Sequence, residues 1–145
     1  MSYELPDDGL TELIDRYIAQ WNEPDPEQRR RLIRQIWAVD AVQVLINPPQ
    51  GIRDAAAHLG IAAPALQVCG HDAFDARVGR AYELFVAPGE YVFERAGEPT
   101  RQAGAAVTFT WVMRNRADGS VAGSGFDVLT FNSDAQIRTD HQFVA

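Results

Sequence analysis

Residues 124–132 read SGFDVLTFN. Phe126, Val128, Leu129, Thr130 and Phe131 favour a strand, and Asp127 interrupts them. A carboxylate among buried apolar neighbours is costly unless it is hydrogen-bonded, paired or kept neutral. Asp127 shares its strand face with Leu129 and Phe131.

The strand before it, 107–114, alternates. Val107, Phe109, Trp111 and Met113 form one face, and Thr108, Thr110, Val112 and Arg114 the other. The turn decides which face Asp127 joins, because a one-residue slip flips every side chain. A two-residue loop at Asp118-Gly119 sets Asp127 opposite Thr110. A three-residue loop 117–119 with Gly119 left-handed sets it opposite Phe109. On the other side, a two-residue loop at Ser133-Asp134 pairs Asp127 with Asp140, and one more loop residue pairs it with His141. Asp140, with Gln142 on its face, is the preferred neighbour. A carboxylate there raises one pKa of the pair, whereas a histidinium holds Asp127 ionised.

Working back towards the N-terminus, Asp72 reads as the cap of a helix over about 73–86 with Phe74, Val78, Ala81, Tyr82 and Phe85 inward. Segment 51–60 reads as a short amphipathic helix with His58 on its exposed side. Segment 61–70, broken by Pro64, reads as a packed connection. AVQVLI, 41–46, reads as a strand stopped by Asn47-Pro48-Pro49. Asp25-Pro26, with Gln28 beyond, starts a helix that runs to about Val39 and buries Leu32, Ile33, Ile36 and Trp37. Leu10, Leu13, Ile14, Tyr17, Ile18 and Trp21 form one stripe of a helix over about 9–22. Further strands are expected at about 91–95, 105–115, 121–131 and 136–144. The order helix, helix, strand, helix, meander predicts an α+β domain with helices on one face of a mostly antiparallel sheet.

At 145 residues and 46% hydrophobic content, one domain with a proper core is expected. The absence of any long apolar run or basic-then-apolar leader predicts a cytoplasmic protein that does not enter a membrane. A net charge of −7 argues against nucleic acid. RRRLIR, 29–34, reads as the solvated face of an amphipathic helix. All 13 basic residues are arginine, so lysine Schiff-base chemistry and lysine-dependent phosphate loops are excluded. Cys69 and His71 lie two apart in a connection without visible thiol activation, and three scattered histidines lack metal-ligand spacing. Asp40 reads as a residue organising the backbone after the second helix. The glycines of AGSG (122–125) and APGEY (87–91) read as turn glycines, outside any nucleotide-binding context.

RYIAQWNEPD (16–25), IWAVDAV (36–42) and GFDVLTFNSDAQI (125–137), in this order and spacing, resemble the nuclear transport factor 2-like superfamily, in its SnoaL-like polyketide cyclase and ketosteroid isomerase branch. The resemblance covers most of the chain. It implies a cone: a curved, mixed or antiparallel sheet wrapped around N-terminal helices and open at one end into an apolar pocket. It also implies a single SnoaL-like domain over 1–145, an insertion at about 47–70 over the pocket mouth, and homodimers through the outer sheet face. In the isomerase pattern a helix-one tyrosine and a late-strand aspartic acid donate hydrogen bonds to an oxyanion. Tyr17 and Asp127 occupy those places. The general base of that pattern, an aspartate before proline, is replaced by Leu45 or, with two residues inserted, by Asn47. Gln43, Leu45 and Asn47 share one strand face.

The expected pocket is walled by Trp21, Trp37, Phe109, Trp111 and Met113. Gln43, Asn47 and Gln142 would bind the ligand, and Tyr17, Asp127, Asp140 and His141 would carry the chemistry. The expectation is a cofactor-independent isomerase, cyclase or dehydratase type of protein acting on an apolar carbonyl or hydroxylated ring compound, with a non-catalytic binding or dimerisation domain as the competing reading.

Overall fold

The structure is a computed structural model that describes residues 7–46, 54, 58, 66–102 and 105–144. Helix α1 is Asp7–Asn22 and α2 is Pro26–Ile36. Strand β1 (Trp37–Ile46) follows directly, then β2 (Leu66–Cys69) and helix α3 (His71–Ala81). A π-helical turn, Tyr82–Val86, closes α3 with the Ala87 N–H donating to the Tyr82 carbonyl at 2.8 Å. Strands β3 (Tyr91–Arg101), β4 (Val107–Asn115), β5 (Val121–Phe131) and β6 (Ile137–Val144) complete the chain.

The strands form one open sheet in the order β2-β1-β6-β5-β4-β3. Among the described strands only β1 and β6 run parallel; the other neighbours are antiparallel. The α+β class is as the sequence predicts, with a mixed sheet. The apolar stripe of α1 is buried along its whole length, from Leu10 to Trp21. It packs with Ile33, Ile36, Phe74 and Val78 against Phe109, Leu129 and Ile137 of the inner sheet face.

Four local expectations need correction. The second helix ends at Ile36, not Val39. Trp37 is already extended (φ −99°, ψ 137°) and begins β1, which therefore starts four residues before the predicted strand. Leu66–Cys69, read as a connection, is an edge strand antiparallel to β1, so this end of the supposed insertion is part of the sheet. Asp72 is not a cap: Gly70 precedes α3 without a side-chain cap, and Asp72 lies in the first turn, where the helix dipole favours a carboxylate. Finally, β3 continues to Arg101, past Gly97 (φ +84°) and Pro99, because its register shifts between Ala96 and Thr100 and the extra residues bulge out of the ladder.

Bulges also set the two hairpin registers. The Asn115 N–H donates to the Ser120 carbonyl (2.7 Å), which closes a loop over 116–119 with Gly119 left-handed at φ +74°. Arg114 then faces Val121 while Met113 faces Gly123, so Ala122 bulges. Loop and bulge together place Asp127 opposite Phe109. That is the second sequence alternative, reached with a longer loop and one bulged residue. After β5, the loop spans 133–135 with Ala135 at φ +61°, and Arg138 bulges between the Phe131–Ile137 and Thr130–Thr139 pairs. Asp127 consequently faces Gln142, not Asp140 or His141.

A buried carboxyl pair bridged by a tyrosine

The registers gather four polar side chains on the inner sheet face. Asp140 of β6 lies beside Gln43 of β1, and Gln142 beside Asp127 of β5. Tyr17 reaches them from α1. Asp127, Asp140 and Gln43 are 0% exposed and Tyr17 is 1% exposed, so solvent cannot satisfy or screen these groups. The Tyr17 hydroxyl lies 2.9 Å from Oδ2 of Asp127 and 2.8 Å from Oδ2 of Asp140.

Proton counting constrains this bridge. A phenol has one proton to donate, and an ionised carboxylate only accepts. Two short contacts from one hydroxyl to two carboxyls therefore need a second proton. One aspartate is a neutral acid that donates to the phenol oxygen, and Tyr17 donates to the other. The electrostatics agree. Burial, followed by the charge of Asp140, raises the Asp127 pKa well above the usual carboxylate range. Burial also raises Asp140, opposed by its hydrogen bonds from Gln43 and Tyr17 and by the positive charge of Arg77. Burial and the two acids raise Tyr17 well above the ordinary phenol value, so it stays protonated. Burial and the mutual repulsion of the two acids thus keep one proton on the pair at neutral pH.

Further donors complete the network. The Trp111 indole Nε1 donates to Oδ1 of Asp127 at 2.8 Å. Gln142 Nε2 donates to Asp127 (3.2 Å to Oδ2), and Gln43 Nε2 to Oδ2 of Asp140 (2.9 Å). Arg77 of α3 donates Nε to Gln43 Oε1 (2.7 Å) and Nη2 to Gln142 Oε1 (2.9 Å). Among the described residues Oδ1 of Asp140 is buried without a hydrogen-bond partner. Buried carboxylate oxygens are rarely left so, and it is the one acceptor on this carboxyl that remains available.

Gly125 makes the Trp111 contact possible. It lies in the interior of β5 directly opposite Trp111, and a Cβ there would stand 2.2 Å from indole Cζ2. The indole crosses the space that a side chain at 125 would fill and so reaches Asp127. Gly123 and Gly125, read as turn glycines, are strand glycines whose missing side chains shape the inner face. Gly125→Ala is expected to expel the indole, cost about 1–3 kcal/mol in urea denaturation and change Trp111 fluorescence. An unchanged denaturation midpoint and spectrum would contradict this packing.

Tyr17, Asp127, Asp140, Gln43 and Gln142 are brought together as named from the sequence. His141 is not: it points to the outer face, opposite Val44 and Val128, and is exposed, which removes it from the chemistry. Trp37 is a core residue stacked on Phe74 (4.1 Å), its Nε1 donating to the fully buried Gln20. Trp21 and Phe109 are also buried, whereas Trp111 and Met113 are half-buried. Leu45 sits in the core. Asn47 and most of the 51–60 segment lie outside the described residues; His58 is described, helical and exposed as expected. Arg77 was missed. Its signal was its spacing: Phe74, Arg77, Val78 and Ala81 fall on one helical face, which puts an arginine inside the predicted apolar stripe. Among the described residues no group of acidic, histidine or cysteine side chains has the arrangement of a metal site. Nor is any helix among them long and apolar enough to cross a membrane.

No family profile and no curated protein sequence matches the chain. Solved structures do. A candidate isomerase of the SnoaL-like family from Agrobacterium tumefaciens is 26% identical over 95% of this chain and 98% of its own, with a TM-score of 0.72. A nuclear transport factor 2-like protein of unknown function from Exiguobacterium is 19% identical over 92% and 98%, with a TM-score of 0.62. A candidate polyketide cyclase from Sinorhizobium meliloti is 16% identical over 95% and 99%, with a TM-score of 0.57. The chain has the fold shared by SnoaL-like, nuclear transport factor 2-like and polyketide cyclase-like proteins.

Proposed function

We propose that this protein is a cofactor-independent acid–base catalyst acting on an apolar small molecule with an enolisable carbonyl or a hydroxylated ring. The observation that carries the reading is the Tyr17 hydroxyl within hydrogen-bond distance of two buried carboxyls, one of which keeps a free oxygen. Two titratable groups whose surroundings push their proton affinities apart can serve as acid and base. In this reading ionised Asp140 takes a proton from carbon through Oδ1. In the complex neutral Asp127 carries its one proton on Oδ1, no longer giving it to the Tyr17 oxygen, and passes it to the substrate oxygen as negative charge develops there, which leaves Asp127 ionised to receive a proton back. Tyr17 links the two and relays the proton between them. Asp140 thus supplies, from β6, the base that Leu45 cannot supply from β1.

Trp111 is the half-buried contact of Asp127, beside Phe93 (5.7 Å between ring centroids), which in turn meets Trp21 and Phe85. A ligand would enter along these rings and take the place of the indole on Oδ1. The test is solvent-deuterium exchange at the carbon next to the carbonyl in a panel of cyclic ketones, followed by NMR. Exchange catalysed by the wild type and lost in Asp140→Asn supports the reading. Equal exchange with both proteins, or none with any ketone, overturns it.

One observation favours a second reading, a non-catalytic binding or dimerisation domain: both carboxyls are closed to solvent among the described residues. A ligand that raises the melting temperature of wild type and Asp127→Asn equally would support that alternative. In either reading we place a homodimer at the outer sheet face, where Phe126 and Phe143 are each 41% exposed and lie 6.4 Å apart. Phe126→Asp is then expected to give a monomer in sedimentation experiments. A wild type that sediments as a monomer would refute the dimer.

A further inference from the structure

Arg77 touches neither carboxyl, yet every route from it leads to them. A guanidinium donates and never accepts. Both glutamines must therefore turn their oxygens towards Arg77, which leaves their NH2 groups facing the carboxyls. Gln43 passes its N–H to Asp140 at 2.9 Å, and Gln142 passes its own to Asp127 at 3.2 and 3.4 Å. The fork is also seated on a ring, with the guanidinium carbon 5.2 Å from the centroid of Trp21. Without the arginine, either amide could rotate by half a turn and present an oxygen to a carboxyl oxygen.

We infer that Arg77 is the positioning residue of the carboxyl pair: it fixes both glutamine amides with their N–H groups towards the carboxyls, and with its Gln43 arm it favours the ionised form of Asp140. This inference rests on the acid–base reading above, and it names what assigns the two roles. Among the described residues the charged and titratable groups facing the pair are few. Tyr17 comes from α1, Arg77 from α3, and the two aspartates from β5 and β6. Strand β1 contributes the neutral Gln43 and β4 the neutral Trp111. Arg77 is consequently the positive charge against which an ionised Asp140 is balanced, and its charge lowers the Asp140 pKa. Burial depresses the arginine itself, opposed by Tyr17 and the two acids.

Site-resolved 13C NMR titration of the aspartate carboxyl carbons tests this without a substrate. In the wild type Asp140 is expected to ionise at lower pH than Asp127. In Arg77→Met the Asp140 midpoint should rise by about one pH unit or more. Gln43→Leu, which breaks the relay and keeps the arginine, should move Asp140 upward and Asp127 far less. Arg77→Lys keeps the charge but loses the fork; it should fall between wild type and Arg77→Met, and it serves if the methionine variant does not fold. An Asp140 midpoint unchanged in Arg77→Met, or in Arg77→Lys and Gln43→Leu, overturns the positioning role and leaves the acid–base reading in place. A wild type in which Asp127 ionises first overturns the assignment of acid and base itself.

Discussion

Tyr17→Phe is expected to destabilise the protein by about 3 kcal/mol at neutral pH. The substitution keeps the ring, which packs edge-on against Phe109 (5.2 Å), so little packing is lost. What disappears is the hydroxyl between two carboxyls that solvent cannot reach. Removing one partner of a buried polar group exposes the full desolvation cost of the group left behind. Here two groups are left, and one is ionised. Neutral carboxylic acids are cheaper to bury, so the loss should shrink as acid protonates both. Urea denaturation at neutral pH and near pH 4 reads the effect. A loss of about 0.5 kcal/mol or less, typical of a surface substitution, would mean that Tyr17 does not hold the pair.

Asp127→Asn is expected to do the opposite and stabilise the protein at neutral pH. The sign follows from linkage. Asp127 has a raised pKa in the folded chain, so between its unfolded and folded values the folded state binds a proton that the unfolded state has lost. The contribution of Asp127 to stability is fully present below the ordinary carboxylate pKa of about 3.9 and declines as pH rises towards the folded value. Each unit of that displacement is worth about 1.4 kcal/mol. Asparagine is neutral in both states. Its oxygen can accept the Trp111 N–H and its amide can donate towards Tyr17, which keeps those two bonds at the loss of the 3.2 Å bond from Gln142. The variant should therefore gain on the wild type as pH rises from 4 to 7, and the two should converge in acid. An Asn variant that is less stable at pH 7, with the pH slope of the wild type, would refute a neutral Asp127. A residue whose removal stabilises the fold is one kept for another reason, as active-site groups are.

The sequence makes the fold class legible through periodicity and element order, and the Tyr17–Asp127 pair through the resemblance to the isomerase pattern. α1 buries the stripe that its spacing predicts, and the alternation of 107–114 survives in β4. The neighbours of Asp127 were not legible, and the reason is physical. Register on each side depends on a bulged residue, Ala122 or Arg138, and a bulge is a cooperative choice of the sheet with no local signature in either residue. Asp140 was paired wrongly and still joins the site, since Asp127 and Asp140 share the inner face and Tyr17 spans the diagonal between them. His141 fails on the same count: one residue along, it faces outward. Trp37 shows a different limit. Its apolar side chain fits either a helix face or a strand, and only the sharp turn from α2 into β1 decides. The role of Gly125 depends on a side chain from another strand lying over it, which no local pattern records.

Infrared spectroscopy at neutral pH examines the shared proton most directly, through the C=O stretch of a protonated carboxylic acid. Exposed aspartates and glutamates are ionised at this pH and contribute no such band. The wild type is expected to show a protonated-carboxyl band that disappears in Asp127→Asn and persists, shifted, in Asp140→Asn. A wild-type spectrum without that band would mean that both aspartates are ionised beside Tyr17, and the acid–base pair would not exist.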